Sequence, residues 1–134
     1  MRAYGCVITI AGCLAISPAA AQSPEVGEGL FNQYCSSCHG SGGAGDGPMV
    51  EYLTIPSPDL TQLAARNDGA FPMLKVIHII DGRTGVRGHG GQMPVFGDLF
   101  MAEQGEGAAR SYTEVLETRG RVLSVAMYLE SLQK

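Results

Sequence analysis

The run Cys35-Ser36-Ser37-Cys38-His39 limits this chain more than any other feature. Two thiols three positions apart, with an imidazole directly after the second, form the C-x-x-C-H pattern of c-type haem attachment. In that pattern both sulfurs add to the haem vinyl groups and the histidine nitrogen binds the iron. The spacing has a physical reason: on a turn of helix, residues i and i+3 share a face. Cys35 and Cys38 can then grip two edges of a flat macrocycle while His39 comes under its centre.

At 134 residues the chain reads as one domain, and it is not basic enough to point to nucleic acid. Residues 1–21 read as a secretory signal peptide: Arg2, an apolar run over residues 3–16, then Ser17-Pro18 and the small residues Ala19-Ala20-Ala21. The apolar run is short for a bilayer span of about 20 residues, which favours cleavage after Ala21 over retention as an anchor. Ile10-Ala11-Gly12-Cys13 also resembles a lipobox, in which Cys13 would carry lipid. Cleavage discards Cys6 and Cys13 and leaves Cys35 and Cys38 as the cysteines of a domain spanning residues 22–134. No thiols remain for a disulfide framework, so a covalently held haem is expected to supply the apolar centre that a small domain lacks. That domain has eight basic and thirteen acidic side chains, net −5, and should favour a partner with a positive docking surface.

Taken in order, residues 24–34 place Gly27, Leu30, Phe31 and Tyr34 on one helical face, with Pro24, Glu25 and Glu28 suited to a helix start. Gly27 and Gly29 cost helix propensity, and a glycine on the buried face allows another helix to cross closely. The glycine-rich residues 40–48 read as a tight loop rather than a phosphate site, since no Walker lysine follows. Residues 49–53 read as a turn of helix, and Asp59 with Gln62 as a capping box opening a short helix through Arg66. Residues 71–80 are apolar nearly all round, with Pro72 at the start and Asp81-Gly82 at the exit favouring helix. Residues 82–91 are again glycine-rich and lead to Met93-Pro94. Residues 98–110 read as a polar surface insertion, and residues 111–118 as helical. Val122, Val125, Ala126, Leu129 and Leu132 mark a terminal helix over residues 121–133, expected to cross the first at Gly27. The expected fold class is all-α, a small helical domain with long loops wrapped around one haem.

The chain resembles the class I c-type cytochromes of the bacterial, single-haem kind. The resemblance rests on Gly27-x-x-x-Phe31-x-x-x-Cys35-x-x-Cys38-His39, a Met-Pro in a glycine-rich loop, and a terminal helix ending in Tyr128-Leu129. It implies haem c as the one covalent cofactor, cycling between Fe2+ and Fe3+, with His39 and Met93 as axial iron ligands. It also implies that the Pro58 carbonyl accepts the second ring N–H of His39, with Pro56 the near alternative. Residues 101–118 depart from the minimal family members. A thioether ligand favours ferrous iron and raises the potential, and a six-coordinate iron suits an electron carrier rather than an enzyme.

Alternatives stand beside these readings. His89 is the other candidate for the sixth ligand, and Met49 a distant one. Met73, Met101 and Met127 read as packing or surface residues. A Cys35, Cys38, His78 and His89 zinc site and a thioredoxin-type redox pair are the rival uses of the cysteines. Phe31, Leu60, Phe96, Tyr128 and Leu129 are expected to wall the haem, and Lys75, Arg83 and Arg87 to border its face. The functional expectation is an exported, periplasmic carrier, as monomer or complex subunit, passing single electrons between larger redox proteins. A haem subunit of a dehydrogenase or reductase complex, and an enzyme or gas sensor with an open iron site, are the rivals. Membrane association is expected only if residues 1–21 are retained or Cys13 is lipidated.

Overall fold

The computed structural model describes residues 24–82, 96–102 and 111–134. Among these residues the α-helices are α1 (Pro24–Tyr34), α2 (Ser36–His39), α3 (Met73–Asp81), α4 (Phe96–Ala102) and α5 (Tyr112–Ser131). Three short 3-10 turns, Val50–Tyr52, Leu60–Gln62 and Ala65–Asn67, punctuate the chain between α2 and α3, and no strand occurs among the described residues. The fold is all-α, as the sequence pattern requires.

α1 and α5 form the central crossing. α1 buries Gly27 and Phe31, one helical turn apart, against α5. A Cβ on Gly27 would lie 2.7 Å from the Ser124 carbonyl carbon and 2.8 Å from Tyr128 Cβ, so only glycine lets the two backbones meet here. Just beyond the crossing, the rings of Phe31 and Tyr128 pack with centroids 5.4 Å apart.

α5 is one continuous helix and not the two pieces its sequence pattern indicates. Ser111 starts it with a reciprocal cap: the Glu114 amide donates to Ser111 Oγ at 3.2 Å, and the Ser111 amide donates to the Glu114 carboxylate at 2.7 Å. Gly120 costs about 1 kcal/mol of helix propensity. Burial of Thr118, Val122, Val125 and Leu129 on one face outweighs that cost.

α3 begins one residue later than the proline suggests, with Pro72 at the cap, and ends at Gly82. There a left-handed backbone (φ 79°) lets the Gly82 amide reach the His78 and Ile79 carbonyls. α4 is the main departure from expectation. Residues 98–110 read as a polar surface insertion; of these only 98–102 are described, and there Phe100 is 1% exposed, one turn after the buried Phe96. They pack edge-on to Tyr34 of α1, with centroids 6.1 and 5.2 Å away. The short capped helix expected from Asp59 to Arg66 is instead a pair of 3-10 turns. Asp59 caps the first through the Thr61 amide and hydroxyl, and Gln62 bonds to the Thr61 hydroxyl rather than completing a capping box.

That cap gives a pH prediction. The Asp59 carboxyl is held below its ordinary 3.8, first by the Thr61 hydroxyl and then by the Thr61 amide, both of which bond the charged form. A lowered folded pKa contributes stability above pH 3.8 that disappears as pH falls through the lowered value. Asp59→Asn should therefore be less stable than the parent at pH 6, with the gap shrinking as pH falls through the lowered value, read by urea unfolding. A stability gap that does not change with pH would refute the assignment.

Candidate functional site

The attachment motif is a local consequence of how α1 ends. The Cys35 amide still donates to the Phe31 carbonyl at 2.8 Å, and the Cys38 and His39 amides both return to the Cys35 carbonyl, at 3.2 and 3.0 Å. The chain thus makes a slight break at Cys35 and one further helical turn, which sets the two cysteines and the histidine on the same turn. Gly40 closes α2 through a 2.8 Å bond to the Ser36 carbonyl. The glycine-rich loop then folds back under the motif. The Gly45 amide donates to the His39 carbonyl at 2.8 Å, and the Met49 amide to the Ser37 carbonyl at 2.9 Å.

Beside this turn lies a partly open apolar cavity of about 120 Å3. One side is Phe31, Cys35 and His39, and the opposing walls come from Leu60 and Leu63, from Val76 and Ile80 of α3, and from Val125 and Leu129 of α5. Pro58 and Ile79 complete the lining. The hydrocarbon lining, with His39 and Cys35 at its edge, suits a flat apolar ligand held by a few polar anchors.

His39 is buried, and its Nδ1 lies 3.0 Å from Ser57 Oγ. The resemblance points to the carbonyls of Pro58 or Pro56, and the serine between them also brings its hydroxyl within hydrogen-bond distance of the ring. Cys35 is half-buried in the cavity wall, and Cys38 is half-buried on the same turn outside the lining. Burial, with a smaller effect of neighbouring Cys38, pushes the Cys35 thiol up to about 12. A thiol redox pair needs a lowered pKa and a ready thiolate, and this environment does the opposite.

The other candidates fall as follows. Phe31, Leu60 and Leu129 line the cavity as expected. Tyr128 and Phe96 are buried behind it, the first on Phe31 and the second against Phe100 at 5.8 Å. His78 and Lys75 are exposed on α3, Met49 is exposed, and Met73 is half-buried against the core. No group of three or more potential metal-binding side chains occurs among the described residues. Met93, His89, Arg83 and Arg87 lie outside the described residues, as do Cys6 and Cys13.

Ser57 and Leu63 escaped the sequence reading, and so did two further contributors. The α3 wall, Val76, Ile79 and Ile80, was hidden because residues 71–80 are apolar nearly all round, which gives no face to choose. Gln133 gave no signal at all. Its side chain accepts from the Ala64 amide at 2.9 Å and donates to the Leu60 carbonyl at 2.9 Å, tying the end of the chain to the turns that carry Leu60 and Leu63.

Neither zinc nor a thiol pair needs apolar walls of this kind beside the cysteines. A porphyrin does, and the class this defines is the class I c-type cytochrome. Comparison with known families agrees: the family described as cytochrome C oxidase, cbb3-type, subunit III matches residues 22–110, about two-thirds of the chain, and the chain belongs to it. Comparisons with curated proteins and with solved structures return no match. The match stops short of α5, although α5 supplies Val125 and Leu129 to the cavity. Membership implies covalently bound haem and electron transfer through it. Among the described residues, no helix is long and apolar enough to cross a membrane.

Proposed function

We propose that this chain is an exported carrier of single electrons, with one haem held by Cys35 and Cys38 and its iron ligated by His39 and Met93. The observation that carries the reading is the seat of His39. It is a buried imidazole in the wall of an apolar cavity, next to Cys35, with its Nδ1 engaged by a hydroxyl. An iron would then take Nε2, because an Nδ1 that donates to Ser57 carries the ring hydrogen. The haem supplies the one-electron Fe2+/Fe3+ couple. Cys35 and Cys38 retain it outside the cell interior, where a lost cofactor is not recovered. Phe31, Val76, Ile80, Val125 and Leu129 exclude water, which disfavours the extra charge of ferric iron and acts in the same direction as a thioether ligand. Met93 follows from the family resemblance and its place in the glycine-rich loop.

The test is the visible and far-red spectrum of the purified protein, oxidised and reduced. We expect a low-spin c-type spectrum with a weak far-red sulfur-to-ferric-iron band. In Met93→Ala the band should vanish completely, the potential should fall, and the reduced protein should bind carbon monoxide within seconds. A low-spin parent without the far-red band would transfer the sixth position to His89, and a high-spin parent would remove the carrier reading. Mass measurement of the mature protein checks residues 1–21 as a cleaved signal, with Gln22 expected as the first residue.

The family description favours a second reading, in which the domain works as the haem subunit of a larger respiratory complex. Purification under mild detergent separates the two. A lone small protein supports the shuttle, and stoichiometric co-migration with larger redox subunits supports the subunit.

A further inference from the structure

We infer that Gln133 is a positioning residue for the cavity: its carboxamide latches two of the walls together, keeps water from the bound haem and so raises the potential of the iron. The inference rests on the haem-carrier reading proposed above. What carries it is a set of three hydrogen bonds made by one side chain. Gln133 Nε2 donates to the Leu60 carbonyl at 2.9 Å and to the Leu129 carbonyl at 2.6 Å, and Oε1 accepts from the Ala64 amide at 2.9 Å. Leu60 and Leu129 line the cavity from different elements, the Leu60–Gln62 turn and α5, and Ala64 follows Leu63, a third lining residue. The carboxamide therefore grips the backbone of both walls at, or next to, the residues whose side chains form them.

Such a tie matters most at these turns. Three-residue 3-10 turns have poorer hydrogen-bond geometry than an α-helix, and the Ala64 amide falls between two of them, Leu60–Gln62 and Ala65–Asn67. The Lys134 amide adds a 3.2 Å bond to the Thr61 carbonyl, and on the other flank the Leu60 amide donates to the Gly43 carbonyl at 2.7 Å. The wall carrying Leu60 and Leu63 is thus pinned from both sides, with Gln133 as the pin that also reaches α5. A carboxamide suits the place because it donates twice and accepts at once. Ferric haem carries one more positive charge than ferrous haem, and a wall that parts admits water, which stabilises that charge. Releasing the latch must therefore favour the ferric form.

The experiment compares the holo protein with Gln133→Met, which keeps the chain length and loses all three bonds, and with the milder Gln133→Asn, too short to reach both walls. Asn67→Ala is the control: it removes a 2.8 Å bond to the Ala70 carbonyl at the far end of the same segment. In Gln133→Met we expect a retained low-spin spectrum, exchange of the Ala64 amide with solvent about tenfold faster, and a redox equilibrium shifted about threefold toward ferric iron. That shift is a fall of roughly 30 mV at 59 mV per tenfold for one electron. Gln133→Asn should change both values in the same direction, so a folding loss in Gln133→Met leaves the test intact. Asn67→Ala should keep the parent potential. Faster Ala64 exchange at an unchanged potential overturns the inference, because the tie is then structural alone. An equal fall in Asn67→Ala overturns it as a general loosening of the turns, and an unprotected Ala64 amide in the parent overturns the latch itself. Failure of the haem reading is separately visible: a parent with no c-type spectrum removes the redox role, while protection of the Ala64 amide still reports the latch.

Discussion

Gly27→Val is expected to destabilise the folded protein by about 3 kcal/mol or more, a large share of the roughly 5–15 kcal/mol that holds a small domain together. The reason is the identity of the obstructing atoms. A Cβ at residue 27 meets the Ser124 carbonyl group, which is backbone, and the Tyr128 Cβ, which cannot rotate aside. The helices must separate, and separation loosens the ring contact of Phe31 with Tyr128 and the cavity wall formed by Phe31, Val125 and Leu129. Gly29, two residues on, supplies the control. It is exposed, with nothing within 4 Å of an added Cβ, so Gly29→Ala should stabilise by roughly 0.5–1 kcal/mol through helix propensity alone. Denaturant unfolding of the two variants reads both signs. Equal effects at the two positions would mean that α1 and α5 do not cross at Gly27.

The contrast between those glycines shows what the sequence can convey. Gly27 was legible because it shares a helical face with Phe31 and Tyr34, and a second helix with a matching apolar stripe lies at the far end of the chain. Gly29 carries the same residue type with no packing reason behind it, and the structure offers none. The motif itself was readable because covalent attachment confines its chemistry to five consecutive residues. The site around it was only partly so. Val76, Ile79 and Ile80 reach the cavity through the orientation of α3, which an all-round apolar segment does not encode. Ser57 was passed over because the reading of that segment fixed on backbone carbonyls at Pro56 and Pro58, and a hydroxyl between two prolines has no spacing rule to mark it. Gln133 acts across more than sixty residues of chain, on carbonyls and amides that any residue carries.

Phe100→Ala is the prediction that bears on the largest misreading. Residues 98–110 are rich in glycine and charge, and averaged over that window the segment looks like a solvated insertion. Averaging hides Phe100, which with Phe96 four residues earlier forms one helical stripe. The Phe100 ring is 1% exposed, packed edge-on against Tyr34 at 5.2 Å, tilted against Phe96 at 5.8 Å, and capped by the Arg121 guanidinium 6.0 Å from its centroid. α4 therefore plugs the space between α1 and α5 through Phe96 and Phe100, and truncation leaves a cavity lined by groups that cannot all collapse inward. The expected loss is about 3–5 kcal/mol, of which the cation–π contact with Arg121 contributes at most about 1. Phe100→Leu should recover more than half of it by refilling the space. The effect on the haem site should be indirect and graded. Tyr34 immediately precedes Cys35, so loosening Tyr34 frees the turn on which attachment occurs, and the yield of haem-loaded protein should fall in step with stability across the two variants. A full yield of normally coloured, fully stable Phe100→Ala protein would return this segment to the surface.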